Sequence, residues 1–161
     1  MAKIRMKLNP ESIENALKEV NKRIKSDGKS RFVEGLMDKG VEFAKAQVRE
    51  LGAYYTGELE ASITGYYSPI LGTAVIKVNS PYAKFVEFGT GVVGKGSPHP
   101  FPEGWKYDIN EHGEAGWWYF NDRDDKWHWT KGMASRPFMY NTYMELQRLA
   151  GNRAKVVFNG D

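Results

Sequence analysis

Near Gly57 the spacing of apolar residues changes from a helical to an alternating period, and a chain with that order has to stack helix on sheet. Upstream, Val33, Met37, Val41, Ala44, Val48 and Leu51 fall on one stripe, with Phe32, Leu36 and Phe43 on its flank. That width predicts a helix lying on a broad surface such as a sheet, since a coiled-coil seam is narrower. An earlier stripe of Ile13, Leu17, Val20 and Ile24 follows Asn9-Pro10, where Asn caps and Pro at the first helical position wastes no hydrogen bond. Residues 10 to 51 are therefore expected to be mainly helical. Asp27-Gly28 interrupts the pattern, as a loop or as a weak spot in a longer helix, and places any break between Lys25 and Ser30. Gly52 and Tyr54-Tyr55-Thr56-Gly57 end the region.

Downstream, residues 62–67 and 73–78 alternate as strands around a Pro69-Ile70-Leu71-Gly72 connection and predict an antiparallel pair. Pro81 opens a short helix through Tyr82, Phe85, Val86 and Phe88, closed by Gly89 and Gly91. Residues 92–116 hold no long periodic element. Trp117-Trp118-Tyr119-Phe120, a polar turn at 121–126, and Trp127-His128-Trp129-Thr130 then have the form of a hairpin with rings on both strands. Pro137 starts a terminal helix through Met139, Tyr143, Leu146 and Leu149, ended by Gly151-Asn152, after which 155–158 reads as a short edge strand. The expected class is α+β: an N-terminal amphipathic helical region on a small antiparallel sheet, with a short central helix, an aromatic hairpin and a C-terminal helix. Residues 1–161 are read as one domain, with 92–131 as a long loop plus hairpin.

Composition narrows the function classes. There is no Cys, which removes disulfides, thiolate catalysis and Cys-ligated zinc. No apolar run approaches about eighteen residues, and the charges of Met1 to Lys7 have no apolar stretch behind them, so neither a membrane span nor a secretion signal is expected. The sign of charge alternates: 12 basic against 8 acidic residues in 1–55, 6 against 10 in 56–130, and 5 against 2 in 131–161. A phosphate-facing patch is suggested by the first 31 residues alone, nine basic against four acidic. They support an alternative reading as a small cytoplasmic nucleic-acid-binding protein.

Signals for chemistry are weak. His99, His112 and His128 share a region with Glu111, Glu114, Asp122, Asp124 and Asp125, but no spacing is a ligand pattern, and Lys126 falls at the fifth position of the would-be calcium loop. Gly89-Thr90-Gly91-Val92-Val93-Gly94 matches a dinucleotide string on paper. The mechanism needs a strand before the glycines and a helix after them, and neither is expected here, so the string reads as a turn. No serine lies in a nucleophile motif. A stacking platform for single strands needs interleaved basic charge, whereas the Trp-rich region is net acidic. No catalytic, cofactor or metal residue is assigned.

Three strings carry a resemblance: Thr56-Gly57-Glu58-Leu59-Glu60-Ala61-Ser62-Ile63, Pro81-Tyr82-Ala83-Lys84-Phe85-Val86-Glu87-Phe88-Gly89-Thr90-Gly91, and Thr130-Lys131-Gly132-Met133-Ala134-Ser135-Arg136-Pro137-Phe138-Met139. In this order, the chain from about residue 10 to 150 resembles the small tail-completion, or head–tail joining, proteins of long-tailed double-stranded DNA bacteriophages and prophages. By that resemblance Gly57, Leu59, Ser62 and Ile63 mark the junction from helix to first strand. Tyr82, Ala83, Val86, Glu87, Phe88, Gly89, Thr90 and Gly91 form the central signature, while Arg136, Pro137, Phe138 and Met139 begin the last helix. Residues 92–129, with all five Trp, exceed the compact loop of many relatives.

The resemblance implies a non-enzymatic virion protein of the neck or tail, present in the host cytoplasm during assembly. It implies docking to head-closure or connector proteins and to tail-tube or tail-terminator proteins, as a ring of about six copies through which double-stranded DNA passes. Phe138 is expected to anchor the core. Glu87, a carboxylate in an apolar run, is expected to cap backbone, pair with Arg136 or meet a neighbouring subunit. Trp117, Trp118, Trp127 and Trp129 are candidate interface residues. Five Trp between 105 and 129 exceed what one small core absorbs, so some rings should cover one another and the rest be buried on assembly.

Overall fold

A computed structural model describes residues 4–6 and 26–159, with side chains from 28 to 152. The expected helix over 10–24 and most of the basic first 31 residues lie outside the described residues. Within them the chain is α+β, in two compact units: one formed by the elements before Pro81 and after Pro137, the other by residues 81–137.

In the first unit a helix, α1, runs over Ser26–Glu50, so Gly28 is helical and no break falls between 26 and 30. Its end has the bonding of a Schellman motif: Ala53 N–H donates to Val48 O (2.8 Å) and Gly52 N–H to Arg49 O (3.0 Å). Gly57, at φ 86°, leads into one helical turn, α2, over Glu58–Ala61, which buries Leu59. Ser62 Oγ donates to Leu59 O (2.7 Å), closing that turn. Strand β2 (Ile63–Ser68) pairs antiparallel with β3 (Thr73–Val78) from Ile63↔Val78 to Ser68↔Thr73. Strand β1 (Ile4–Met6) adds to the other edge of β3, giving the order β1-β3-β2.

Helix α1 lies across β2 and β3, and the terminal helix α5 (Phe138–Asn159) packs on α1. The buried line of α1 is Leu36, Gly40, Ala44 and Val48. It is displaced from the stripe expected from apolar spacing because its centre is a glycine: a Cβ on Gly40 would collide with Ile76 Cδ1 and come within 2.8 Å of Leu146 Cδ1. Strand and helix converge on that missing side chain. From the sheet come Ile63, Ile76 and Val78, and from α5 Phe138, Met139, Thr142, Leu146 and Ala150, all buried. Phe138 is fully buried, as the core-anchor reading requires. Thr142 Oγ1 satisfies itself on Phe138 O one turn back (2.7 Å).

Two expectations at the C-terminus fail. Gly151 does not end α5, and residues 155–158 are helical where an edge strand was expected. β-Branched content is a weak prior, and extending an established helix adds a hydrogen bond for each residue fixed.

At that end of α1, Arg49 and Glu60 form a forked ion pair, with Nε donating to Oε2 at 3.0 Å and Nη2 to Oε1. The hydrogen bond from Arg49 holds the Glu60 carboxyl below its ordinary value, and the same bond raises Arg49. The pair joins the last turn of α1 to the turn that feeds β2.

Candidate functional site

The second unit carries the central signature. Helix α3 (Ala83–Phe88) buries Ala83, Val86 and Glu87. It stops at Gly89, whose φ of 79° and ψ of 171° belong to a region essentially restricted to glycine. A Cβ there would meet Ser135 N at 2.7 Å and Met133 O at 2.8 Å. Gly91 opens a second short helix, α4 (Gly91–Gly96), where the sequence predicted only a turn. A Cβ on Gly91 would strike Lys131 O, and one on Gly94 would sit 3.0 Å from Met133 O. The glycine string thus admits close approach by the protein's own 131–135 backbone and uses that space up.

The third string runs beside the second. Arg136 N–H donates to Val86 O (2.8 Å), Ser135 Oγ to Glu87 O (2.7 Å), and Met133 N–H to Thr90 Oγ1 (3.2 Å). Bridges Thr90↔Met133 and Gly91↔Gly132 extend the seam to strand β6 (Gly132–Met133).

Glu87 is buried with His99, its Oε1 lying 3.1 Å from His99 Nε2. The other ring nitrogen, Nδ1, accepts the backbone N–H of Phe101 (2.9 Å). A nitrogen that accepts carries no hydrogen, so Nε2 bears it and donates to the carboxylate. The partner shown for Glu87 is therefore His99, twelve residues on, which was not among the backbone cap, Arg136 and neighbouring subunit that the sequence offered. Phe88 packs against two rings, tilted on His99 (ring centroids 4.5 Å) and stacked on Trp105 (5.0 Å). Trp105 Nε1–H donates to Gly89 O (3.0 Å). Neither His99 nor Trp105 was singled out by the sequence as a partner of the signature. Aromatic density in 99–107 was the available signal.

Beside this cluster is a cavity of about 280 Å³, lined by side chains that include Phe85, Val86, Tyr107, Ile109, Trp117 and Met133. Asp108, Asn110 and His112 also line it and are exposed, so it opens to the surface there. Asp108 is committed to the backbone, accepting His112 N–H on Oδ1 (2.9 Å) and Gly113 N–H on Oδ2 (3.1 Å). The hydroxyl of Tyr107 is buried and has no hydrogen-bond partner among the described residues.

Strands β4 (Trp117–Asn121) and β5 (Lys126–Thr130) form the expected hairpin. Its register sorts the rings. Trp118↔Trp129 and Phe120↔Trp127 pair on one face, with centroids 5.5 and 5.6 Å apart and edges turned to faces. These four rings stay exposed: Trp118 59%, Phe120 45%, Trp127 64% and Trp129 48%. Trp117 lies on the opposite face, where it stacks on His112 (5.0 Å) and lines the cavity. Trp118, Trp127 and Trp129 are thus brought together, and Trp117 is separated from them. His128 Nε2 is 2.8 Å from Asp124 across the turn. Among the described residues no group of three His, Cys, Asp or Glu is placed to hold a metal ion.

No family model, curated protein or solved structure gives a significant match to the chain. Among the described residues no helix is long and apolar enough to cross a membrane.

Proposed function

We propose that this chain is a non-enzymatic structural protein of long-tailed phage or prophage particles, acting in tail completion or head–tail joining by docking to its neighbours. The observation that carries the reading is the seam between the second and third strings. Ser135 and Glu87, 48 residues apart, are joined by one hydrogen bond, with Arg136 on Val86 and Met133 on Thr90 beside it. The second string and residues 133–136 of the third thus serve one local scaffold, and the exposed rings of the hairpin are left for partners. On this reading the partners are head-closure or connector proteins on one side and tail-tube or terminator proteins on the other. About six copies form a ring around the DNA path, as closed symmetry favours.

The test is a prophage deleted for this gene, complemented in trans. Heads and tails should accumulate unjoined without it, and joined particles should return with it and contain the chain by mass spectrometry. Normal particles from the deletion overturn the reading. Tight duplex or single-strand binding that weakens steeply with salt, with particle assembly unaffected, would favour the nucleic-acid alternative.

A further inference from the structure

The cavity and the exposed rings lie on opposite faces of one hairpin. Trp117, from one face, lines the cavity, while Trp118, Phe120, Trp127 and Trp129 occupy the other. A one-layer hairpin cannot turn its outer rings into its own cavity. A second copy can supply them, and because the two patches face opposite ways, such a contact is head-to-tail. Repeated contacts of that kind give a ring when the rotation closes.

We propose that the apolar cavity of residues 82–133 is the socket for an indole of the next copy, with Trp127, the most exposed of the hairpin rings at 64%, as the inserted side chain. Size supports a side chain as occupant. An apolar cavity of about 150 Å³ already holds benzene, so about 280 Å³ has room for a bicyclic ring, yet it falls below the roughly 300–1,000 Å³ usual for small-molecule pockets. Chemistry supports an indole. Phe85, Val86, Ile109, Trp117 and Met133 give the cavity an apolar and aromatic wall, and of its polar lining Asp108 already accepts the His112 and Gly113 N–H groups and Thr90 Oγ1 the Met133 N–H. An indole offers such a wall a broad apolar ring face and carries a single N–H donor. Trp is also among the residues enriched at interface hot spots, which sit in well-packed, desolvated pockets. The inference deepens the ring reading and rests on it for its biological setting, while the contact itself is a property of the purified chain.

The experiment is sedimentation velocity on the full-length protein over a concentration series. Wild type should self-associate, and Trp127→Ser, which removes the knob, should remain monomeric. Ile109→Trp, which fills the socket from its wall, should remain monomeric too. Mixed in equal amounts, the two variants should form a dimer that cannot extend, because one retains a socket and the other a knob. Circular dichroism and thermal melting establish that each variant is folded. A monomeric wild type overturns the proposal. So do a Trp127→Ser protein that associates like wild type and folded variants that do not pair. Failure of the neck reading looks different: a chain that associates through Trp127 but is absent from particles keeps the socket and loses the neck.

Discussion

The hairpins β2–β3 and β4–β5 have the same antiparallel pairing and nearly the same length, but opposite fates. In β2–β3 the side chains of Ile63, Ile76 and Val78, on one face, are buried to 2% exposure or less, because α1 lies on it. In β4–β5 the heavier side chains stay between 45% and 64% exposed on one face and shield one another only in pairs. Pairing and alternation decide which side chains share a face, and burial depends on whether another element of the chain covers it. Where no described element does, as on the outer face of β4–β5, the rings stay in water.

If the covered hairpin belongs to a true core, its anchors should be costly to remove. Phe138→Ala should lower stability by about 3–5 kcal/mol, the usual range for deleting a fully buried ring, and abolish cooperative melting if the unit is as marginal as most domains. A Tm within a degree or two of wild type would put this ring in the same class as those of β4–β5 and erase the contrast.

The cover itself is tested at Gly40. Gly40→Ala adds one methyl at the point where α1 meets Ile76 and Leu146, and overpacking of this kind costs about 1–3 kcal/mol. Denaturant melts should show the loss in the midpoint with the slope unchanged. Alanine gains about 1 kcal/mol of helix propensity over glycine, so a net loss shows that the clash dominates, whereas a clear gain in stability would mean that both side chains swing aside and that α1 is loosely seated.

Gly40 also shows where sequence reading stops. The switch of period at Gly57 was enough to predict helix on antiparallel sheet, since Val33, Met37, Val41 and Val48 on one side and residues 62–78 on the other are counted directly. The centre of the helix face was missed because a glycine contributes no apolar side chain to count, although its smallness sets the closest approach. The hairpin at 117–130 was legible from rings flanking a polar turn. Its division into a face at the cavity and a face in water was not, because that follows from register and from Trp117 finding His112. The Glu87–His99 pair was hidden for a similar reason: twelve residues of short helix and loop separate the partners, and no period links them. Helix α4 was hidden by its own glycines, which read as turns until the 131–135 backbone is laid against them.

On the uncovered hairpin the same kind of truncation should do little. Trp118→Ala removes one edge-to-face partner of Trp129 and should cost roughly 0.2–1 kcal/mol, the range for a cross-strand pair. Thermal melts of single and double Trp118/Trp129 variants should give a coupling inside that range. A loss approaching that of Phe138→Ala would mean that these rings are core, and the contrast between the hairpins would fall.

The smallest effect sharpens the comparison at the edge of the covered hairpin, where Arg49 and Glu60 fasten the end of α1 to the turn entering β2. The hydrogen bond from Arg49 lowers the Glu60 carboxyl below its unfolded value, so the folded state prefers the ionised form. The stabilisation is therefore complete above the ordinary carboxylate range and is lost as pH falls through the lowered folded value. Arg49 is largely exposed, and exposed ion pairs contribute little and are screened by salt. Glu60→Gln should accordingly lower Tm slightly at neutral pH in dilute buffer. The difference from wild type should shrink in concentrated salt and vanish at acid pH, where both side chains are neutral. A difference that persists at acid pH would show that Glu60 holds α2 by packing and not by charge.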